Sequence, residues 1–441
     1  MYSRSNNLAP GCLPLAAKLL VLPVFLWSYG AQANNLAPPP QPPMPLQQAQ
    51  LLQMPKLPQL PKIPELPKLP NNLQIHGFAS QGWLKSSGNN VFGESTSGSG
   101  SFDFRELGLN ASMRPLPNLQ FSAQMMSRTA GEGSPGNIRL DYGFIDYAYF
   151  NGEASKLGIR LGRMKTPLGL YNDTRDVPFT RPSILLPQSI YFDRTRKLAL
   201  AADGAHLYGE YRSDMGDISF QAGAVRPLVR GAETEVALLG FERPGRFTPD
   251  VLYTSRVMYE LDGGRIRLAF SASQLNLNYD PGSGDVLHGG AIRFTPLIFS
   301  AQYNAERWSI TSEYARRHFE VNSFGARLPD MDFTGESYYF QGAYRLTPEW
   351  EAFARYDVLY TDSADRSGRK WASHVPTRRA YNRFAKDITV GLRWNITPQF
   401  MLRAEYHRVN GTAWLSTLDN PNHMDTVQHW NLFSILGSYR F

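Results

Sequence analysis

Residues 428–441 read QHWNLFSILGSYRF. Side chains of a strand alternate between two faces, so Phe433, Ile435, Tyr439 and Phe441 share one face while Trp430, Ser434, Ser438 and Arg440 share the other. The first face suits an apolar surrounding and the second a polar one. An edge strand of a soluble sheet and the last strand of a closed membrane barrel can both be written this way, and the segments upstream decide between them.

Those segments alternate strictly between two kinds of connection. Short ones with turn chemistry fall at Pro115–Asn118, Asn151–Ser155, Ser213–Gly216, Asp262–Gly264, Ala305–Glu306, Thr347–Pro348 and Thr397–Pro398. Each contains Gly, Pro, Asn or Asp, or is a bare two-residue link. Long polar connections lie near 84–101, 129–138, 165–202, 226–250, 276–287, 320–335, 362–386 and 410–427. Seven short and eight long connections predict about 16 strands. Short turns on one side and long loops on the other are the plan of an outer-membrane barrel, with both ends of the barrel chain on the periplasmic side. A soluble sandwich has no physical reason to sort its turns. The expected fold is therefore all-β, a transmembrane antiparallel β-barrel with an inward-folded third extracellular loop.

Single strands carry the same alternation. Ile388, Val390, Leu392 and Trp394 alternate with Thr389, Gly391, Arg393 and Asn395, and Trp350, Ala352, Ala354, Tyr356, Val358 and Tyr360 alternate with Glu351, Phe353, Arg355, Asp357 and Leu359. One face reads as lipid-directed with aromatics toward its ends, the other as lining a wet lumen.

The first 33 residues contain Arg4, Lys18, an apolar run from Leu19 to Trp27 and then Ala31-Gln32-Ala33, the pattern of a signal peptide cut before Asn34. That run is too short for a helical membrane span, which needs roughly 20 residues. Cys12, the single cysteine, lies within this leader, so residues 34–441 hold no thiol for a disulfide, a thiolate metal site or a cysteine nucleophile. From residue 73 onward 40 basic face 37 acidic residues, a net +3 that does not imply a nucleic-acid partner. The barrel is expected to span 73–441.

Residues 34–72 are a proline-rich spacer. Within it, PKLPQLPKIPELPKLP (55–70) has proline at every third position and an aliphatic residue just before each proline after the first. Polyproline II has three residues per turn, so this stretch would form a rod with one aliphatic face. It reads as a semi-rigid linker or as a surface for a periplasmic partner.

The connection 165–202 reads KTPLGLYNDTRDVPFTRPSILLPQSIYFDRTRKLALAA. Its aromatic and aliphatic content suits a loop folded against the inner wall. Lys165, Arg175, Arg181, Arg194, Arg196 and Lys197 against Asp173, Asp176 and Asp193 give it a local +3, which would favour anions at a constriction. The stretch GRMKTPLGLYNDTRDVPFTRPSILLPQSIYFD from Gly162, the strand count and the terminal Phe441 together resemble the trimeric Gram-negative porins, in particular the phosphate-selective porin O/P-like group. The resemblance covers about residues 73–441. It implies that 165–202 is the inward third loop, that Phe441 with Tyr439 is the signal read by the barrel-assembly machinery, and that the chain is a homotrimer in contact with membrane lipid and lipopolysaccharide. The proline-rich spacer departs from a plain porin.

Strand parity adds Arg160, Arg212, Arg256, Arg267, Arg355, Arg393 and Arg403 as pore-wall cations, with Glu106, Glu210, Glu313, Asp357 and Glu405 as counter-charges. These groups would guide anions, or brace the wall as salt bridges. Arg366, Arg369, Lys370, Arg378, Arg379, Arg383 and Lys386 face only Asp362 and Asp365 in their own loop, and would collect anions or bind lipopolysaccharide phosphates. No nucleophile and base converge, so no enzyme is expected. Metal binding is not expected either, whether at His423 with His429 or at Asp330 with Asp332, and no cofactor is expected. The expected function is passive diffusion of small hydrophilic solutes and ions through a water-filled channel of the outer membrane, with a modest anion preference. The rival is a structural, adhesive or envelope-tethering barrel without an open pore.

Overall fold

The computed structural model describes residues 72–229, 232–240 and 242–441. The leader and the 55–70 repeat lie outside the described residues. Strands follow one another as β1 (Leu73–Ser86), β2 (Ser101–Leu116), β3 (Leu119–Ala130), β4 (Pro135–Asn151), β5 (Ser155–Lys165), β6 (Ala201–Ser213) and β7 (Gly216–Pro227). Next come β8 (Arg246–Pro249), β9 (Leu252–Leu261), β10 (Ile266–Asp280), β11 (Gly290–Asn304), β12 (Trp308–Asn322) and β13 (Met331–Arg345). The last are β14 (Trp350–Tyr360), β15 (Phe384–Asn395), β16 (Phe400–Gly411) and β17 (His429–Arg440).

Both β8 and β9 pair along β10, so they are two pieces of one stave and the barrel has sixteen. Neighbours in sequence pair antiparallel, and β1 pairs with both β2 and β17, which closes the sheet and leaves no edge. The terminal strand completes this closure. Gly77 and Phe441 exchange two backbone hydrogen bonds of 3.2 and 3.1 Å, beyond the run in which Phe78 faces Arg440 and Ser86 faces Leu432.

Alternation holds where the sequence shows it most clearly. Ile388, Val390 and Leu392 are exposed on the outside, while Thr389 is fully buried inside. Tyr147, Tyr211, Trp308, Tyr344 and Tyr439 lie outward near the short turns, as an interfacial girdle requires.

Two details differ from the sequence reading. The second long connection shrinks to residues 131–134, because Ala130 donates to the Ser134 carbonyl and Gly131 takes φ +63°, closing a tight turn within a stretch whose polarity suggested a loop. Val358 is fully buried although its strand parity is lipid-directed. The interior also departs from a uniformly wet lumen. Leu84, Phe104, Leu359, Val409, Leu432 and Leu436 pack with Ile184, Leu185 and Trp414 into an apolar cluster at the end of the barrel that carries the long loops. Loop side chains rather than water cover this part of the wall.

Candidate functional site

The connection between β5 and β6, residues 166–200, supplies the centre of the interior. It leaves the wall through Gly169, which sits in the left-handed region at φ +58°. A Cβ there would meet the Tyr191 hydroxyl and the Glu313 carboxylate, so glycine is required both by its dihedral angle and by the close approach. The Gly169 N–H donates to Ser271 (3.1 Å) and its carbonyl accepts from Arg256 (3.0 Å).

From there the loop is bonded to inward side chains on every side of the barrel. On β9, Arg256 forms a two-pronged pair with Asp173 at 2.8 and 2.6 Å. On β12, Glu313 accepts from the hydroxyls of Tyr191 (2.6 Å), Tyr339 (2.9 Å) and Ser300 (2.6 Å) and from the Leu170 N–H (3.0 Å). Arg317 and Ser337 both donate to the Ser189 carbonyl, and Asp357 accepts from the Ser189 N–H. Arg355 reaches Ser183 and the Leu185 carbonyl, each at 3.0 Å. Arg403 donates to the Arg181 carbonyl (2.7 Å), and Glu405 accepts from Ile184 and Leu185. On the opposite wall Glu106 holds Arg181 (2.7 Å) and Arg128 (3.3 Å), and Lys165 bridges Asp141 (2.6 Å) and Asp176. Low-dielectric surroundings strengthen each of these bonds and make an unpaired partner costly.

The loop cations are therefore placed differently from an open fringe. Arg175, Arg181 and Arg196 are buried, with Arg175 on the Tyr191 carbonyl (3.0 Å) and Asp193 (3.4 Å), and Arg196 on Asp176 and Asp193. Burial pushes the Arg175 guanidinium down to about 10 despite Asp193. Asp173 and Asp176 are spent on Arg256 and on Lys165 with Arg196. Lys197 is half-buried, and Arg194 is exposed at the long-loop end.

The wall cations separate into two groups. Arg256, Arg355 and Arg403 clamp the loop. Arg160, Arg212, Arg267 and Arg393 lie nearer the short turns and remain partly exposed, paired with Asp146 (2.8 Å), Glu210 (2.7 Å), Glu260 (2.7 Å) and Asn395 (2.8 Å). The loop dips toward this region, where the Phe179 ring lies 4.5 Å from the Arg440 guanidinium.

The basic loop 361–383 has more partners than its own two acids. Arg366 binds Glu336 at 2.5 Å, Arg378 and Arg383 stack on Trp371, and Lys386 belongs to β15. Arg369, Lys370 and Arg379 complete the cluster. Asp330 caps the Ser323 N–H, Asp332 lies 3.6 Å from His318, and no set of three metal-ligating side chains converges among the described residues.

Arg128, Arg317, Tyr191 and the buried pair His407–Asp387 (2.8 Å) were not singled out from sequence. Parity with Gln124 and Met126 marks Arg128 as inward, and parity with Glu313 does the same for Arg317. Nothing in the sequence pairs His407 with Asp387.

No protein-family description matches the chain, and no curated protein is recognisably similar in sequence. Solved structures are similar in fold. An anion-selective porin from Comamonas acidovorans is 12% identical with a TM-score of 0.52, covering 84% of this chain and 99% of that one. The outer membrane channel DcaP of Acinetobacter baumannii is 12% identical with a TM-score of 0.51, covering 84% and 97%. The trimer form of OmpT, an outer membrane protein of Vibrio cholerae, is 10% identical with a TM-score of 0.50, covering 84% and 99%. The chain shares the closed antiparallel barrel of outer-membrane porins.

Proposed function

We propose that this protein is a porin of the Gram-negative outer membrane, a passive channel for small hydrophilic solutes and ions with a modest anion preference. The observation that carries this reading is a closed sixteen-stave barrel, apolar outside, whose inner wall below the inward loop displays partly exposed cations in excess. Arg114, Arg160, Arg212, Arg267, Arg393 and Arg440 stand there against Asp146, Glu210, Glu260 and Glu351. The buried loop guanidiniums are paired, Arg181 with Glu106 of the wall and Arg175 and Arg196 with Asp193 and Asp176 of the loop itself, so the preference originates in this wall and in the exposed Arg194 rather than in the buried loop pairs. A local excess of one sign in a narrow wet passage raises the concentration of the opposite ion.

In this reading the leader directs export, residues 34–72 remain periplasmic and are open to a partner there, and Phe441 with Tyr439 carries the assembly signal. The barrel forms a homotrimer, and its basic long-loop rim meets lipopolysaccharide. Planar-bilayer recording of the refolded chain in a KCl gradient tests the proposal. Conductance steps with an anion-favouring reversal potential are expected. A folded, heat-modifiable barrel that passes no current would overturn it in favour of a closed tethering barrel.

A further inference from the structure

At the long-loop end, a partly open cavity of about 60 Å³ is lined by five connections, residues 185–198 of the inward loop among them. Val91, Leu198, Trp414 and Leu415 give it an apolar wall, and Arg128, Arg194 and Arg196 give it a cationic one. Its two carboxylates are already engaged. Asp193 accepts from Arg128 (3.0 Å) and Gln188 (3.0 Å), and Asp419 accepts from the Glu132 N–H (3.0 Å).

The donors are not all spent. The buried Trp414 Nε1 and Arg196 Nε have no hydrogen-bond partner among the described residues. A second, smaller cavity of about 10 Å³ adjoins the first, sharing Arg128, Leu185, Asp193 and Arg196. Arg175 and Arg181 also line it, and each has a buried Nε–H without a partner among the described residues. Buried donors of this kind each cost on the order of 1–3 kcal/mol when unmet, so several around one seam mark a place built to receive an acceptor.

We infer that this cavity is a recognition site for a short-chain carboxylate solute, its carboxylate at the arginine seam and its alkyl chain against Val91, Leu198 and Trp414. Three observations fix the class. Cations and unmet N–H donors call for an anionic acceptor. The apolar wall distinguishes a solute with a hydrocarbon body from a fully hydrated inorganic ion, which would lose water there without compensation. The size excludes large ligands, since one water needs roughly 10–15 Å³ of such space, and 60 Å³ suits a solute of about four to six heavy atoms. Because the cavity lies on the long-loop side, the site meets solute before it reaches the wall cations near the short turns. The inference deepens the channel reading by naming a solute class.

Isothermal titration of the refolded full chain with sodium butyrate tests it, with sodium phosphate and butylammonium chloride as comparison probes. Saturable butyrate binding, with phosphate and butylammonium much weaker, is expected. Trp414→Phe keeps the ring and removes only the N–H, and Arg194→Gln removes the exposed charge. Each is expected to weaken butyrate by about tenfold, the cost of one charge-assisted contact, while Arg327→Gln, an exposed change in another loop, leaves it unaltered. Absence of butyrate binding, equal binding of phosphate, or indifference to both site variants would overturn the inference. Bilayer recording of the same preparation separates the two readings. Conductance without butyrate binding removes the site and keeps the channel, whereas butyrate binding without conductance keeps the site and removes the channel.

Discussion

Arg256 of β9 and Asp173 of the inward loop form a two-pronged ion pair, Nη1 to Oδ1 at 2.8 Å and Nη2 to Oδ2 at 2.6 Å. The wall charge and the loop charge cancel one another and fix the loop's position. The same charge pairing recurs between Arg181 and Glu106, and Glu405 holds the loop by accepting from the Ile184 and Leu185 N–H groups. The loop is thereby part of the barrel's interior structure.

Asp173→Asn leaves the Arg256 guanidinium without its counter-charge while keeping a side chain of nearly the same shape. Because Asp173 is partly exposed, water meets some of the loss, and about 1–3 kcal/mol of stability is expected to go. Urea unfolding of the refolded barrel reads this as a lower midpoint, and single-channel traces are expected to show added open-state noise.

Glu106→Gln removes the one carboxylate shared by Arg128 and Arg181, both buried. Breaking a buried pair from one side typically costs roughly 3–5 kcal/mol, and here the cost falls on the loop's attachment. Limited trypsin digestion is expected to cut after Arg175 in the variant well before it does so in the parent protein. Equal cleavage rates would mean that the pair does not hold the loop.

Alkaline titration reports on the loop's tyrosines. Burial, reinforced by Glu313, pushes the Tyr171 hydroxyl up to about 12, and burial raises Tyr191 as well. A phenol whose value is raised on folding contributes stability that is intact below its ordinary value near 10 and is lost as pH climbs through the raised one. Tyr171 alone should account for about 2–3 kcal/mol lost between pH 10 and 12. Tyr171→Phe is expected to flatten that part of the stability profile, measured by thermal unfolding across the range.

Gly77→Val tests the closure. A Cβ at Gly77 would lie 2.5 Å from the Phe441 ring, while the two backbones are held together by paired hydrogen bonds. Overpacking of this kind costs typically 1–3 kcal/mol. A smaller heat-modifiable fraction on gels is expected, and Phe441→Ala in the same chain should recover part of the packing defect.

The proposed anion preference rests on the wall. Replacing Arg160, Arg212 and Arg267 together by Gln should move the reversal potential in a KCl gradient toward cations, whereas Arg175→Gln, acting on a buried and paired group, should move it little. The opposite ranking would return the preference to the loop.

Strand identity, stave number and lipid-facing parity were legible in the sequence because they depend on local periodicity. Ile388, Val390 and Leu392 point outward for the reason that their spacing is two, and Gly131 hid a turn only because its neighbours are polar. The sequence by itself determined that the chain closes sixteen staves on Phe441 and that 165–202 is too apolar for open solvent. The tertiary structure alone decided which charges meet. Arg256 finds Asp173 83 residues away, and Glu405 finds Ile184 across 221. Periodicity says which way a side chain points, but the partner of a lumen charge depends on how a loop crosses the barrel, and that is set by distance in space.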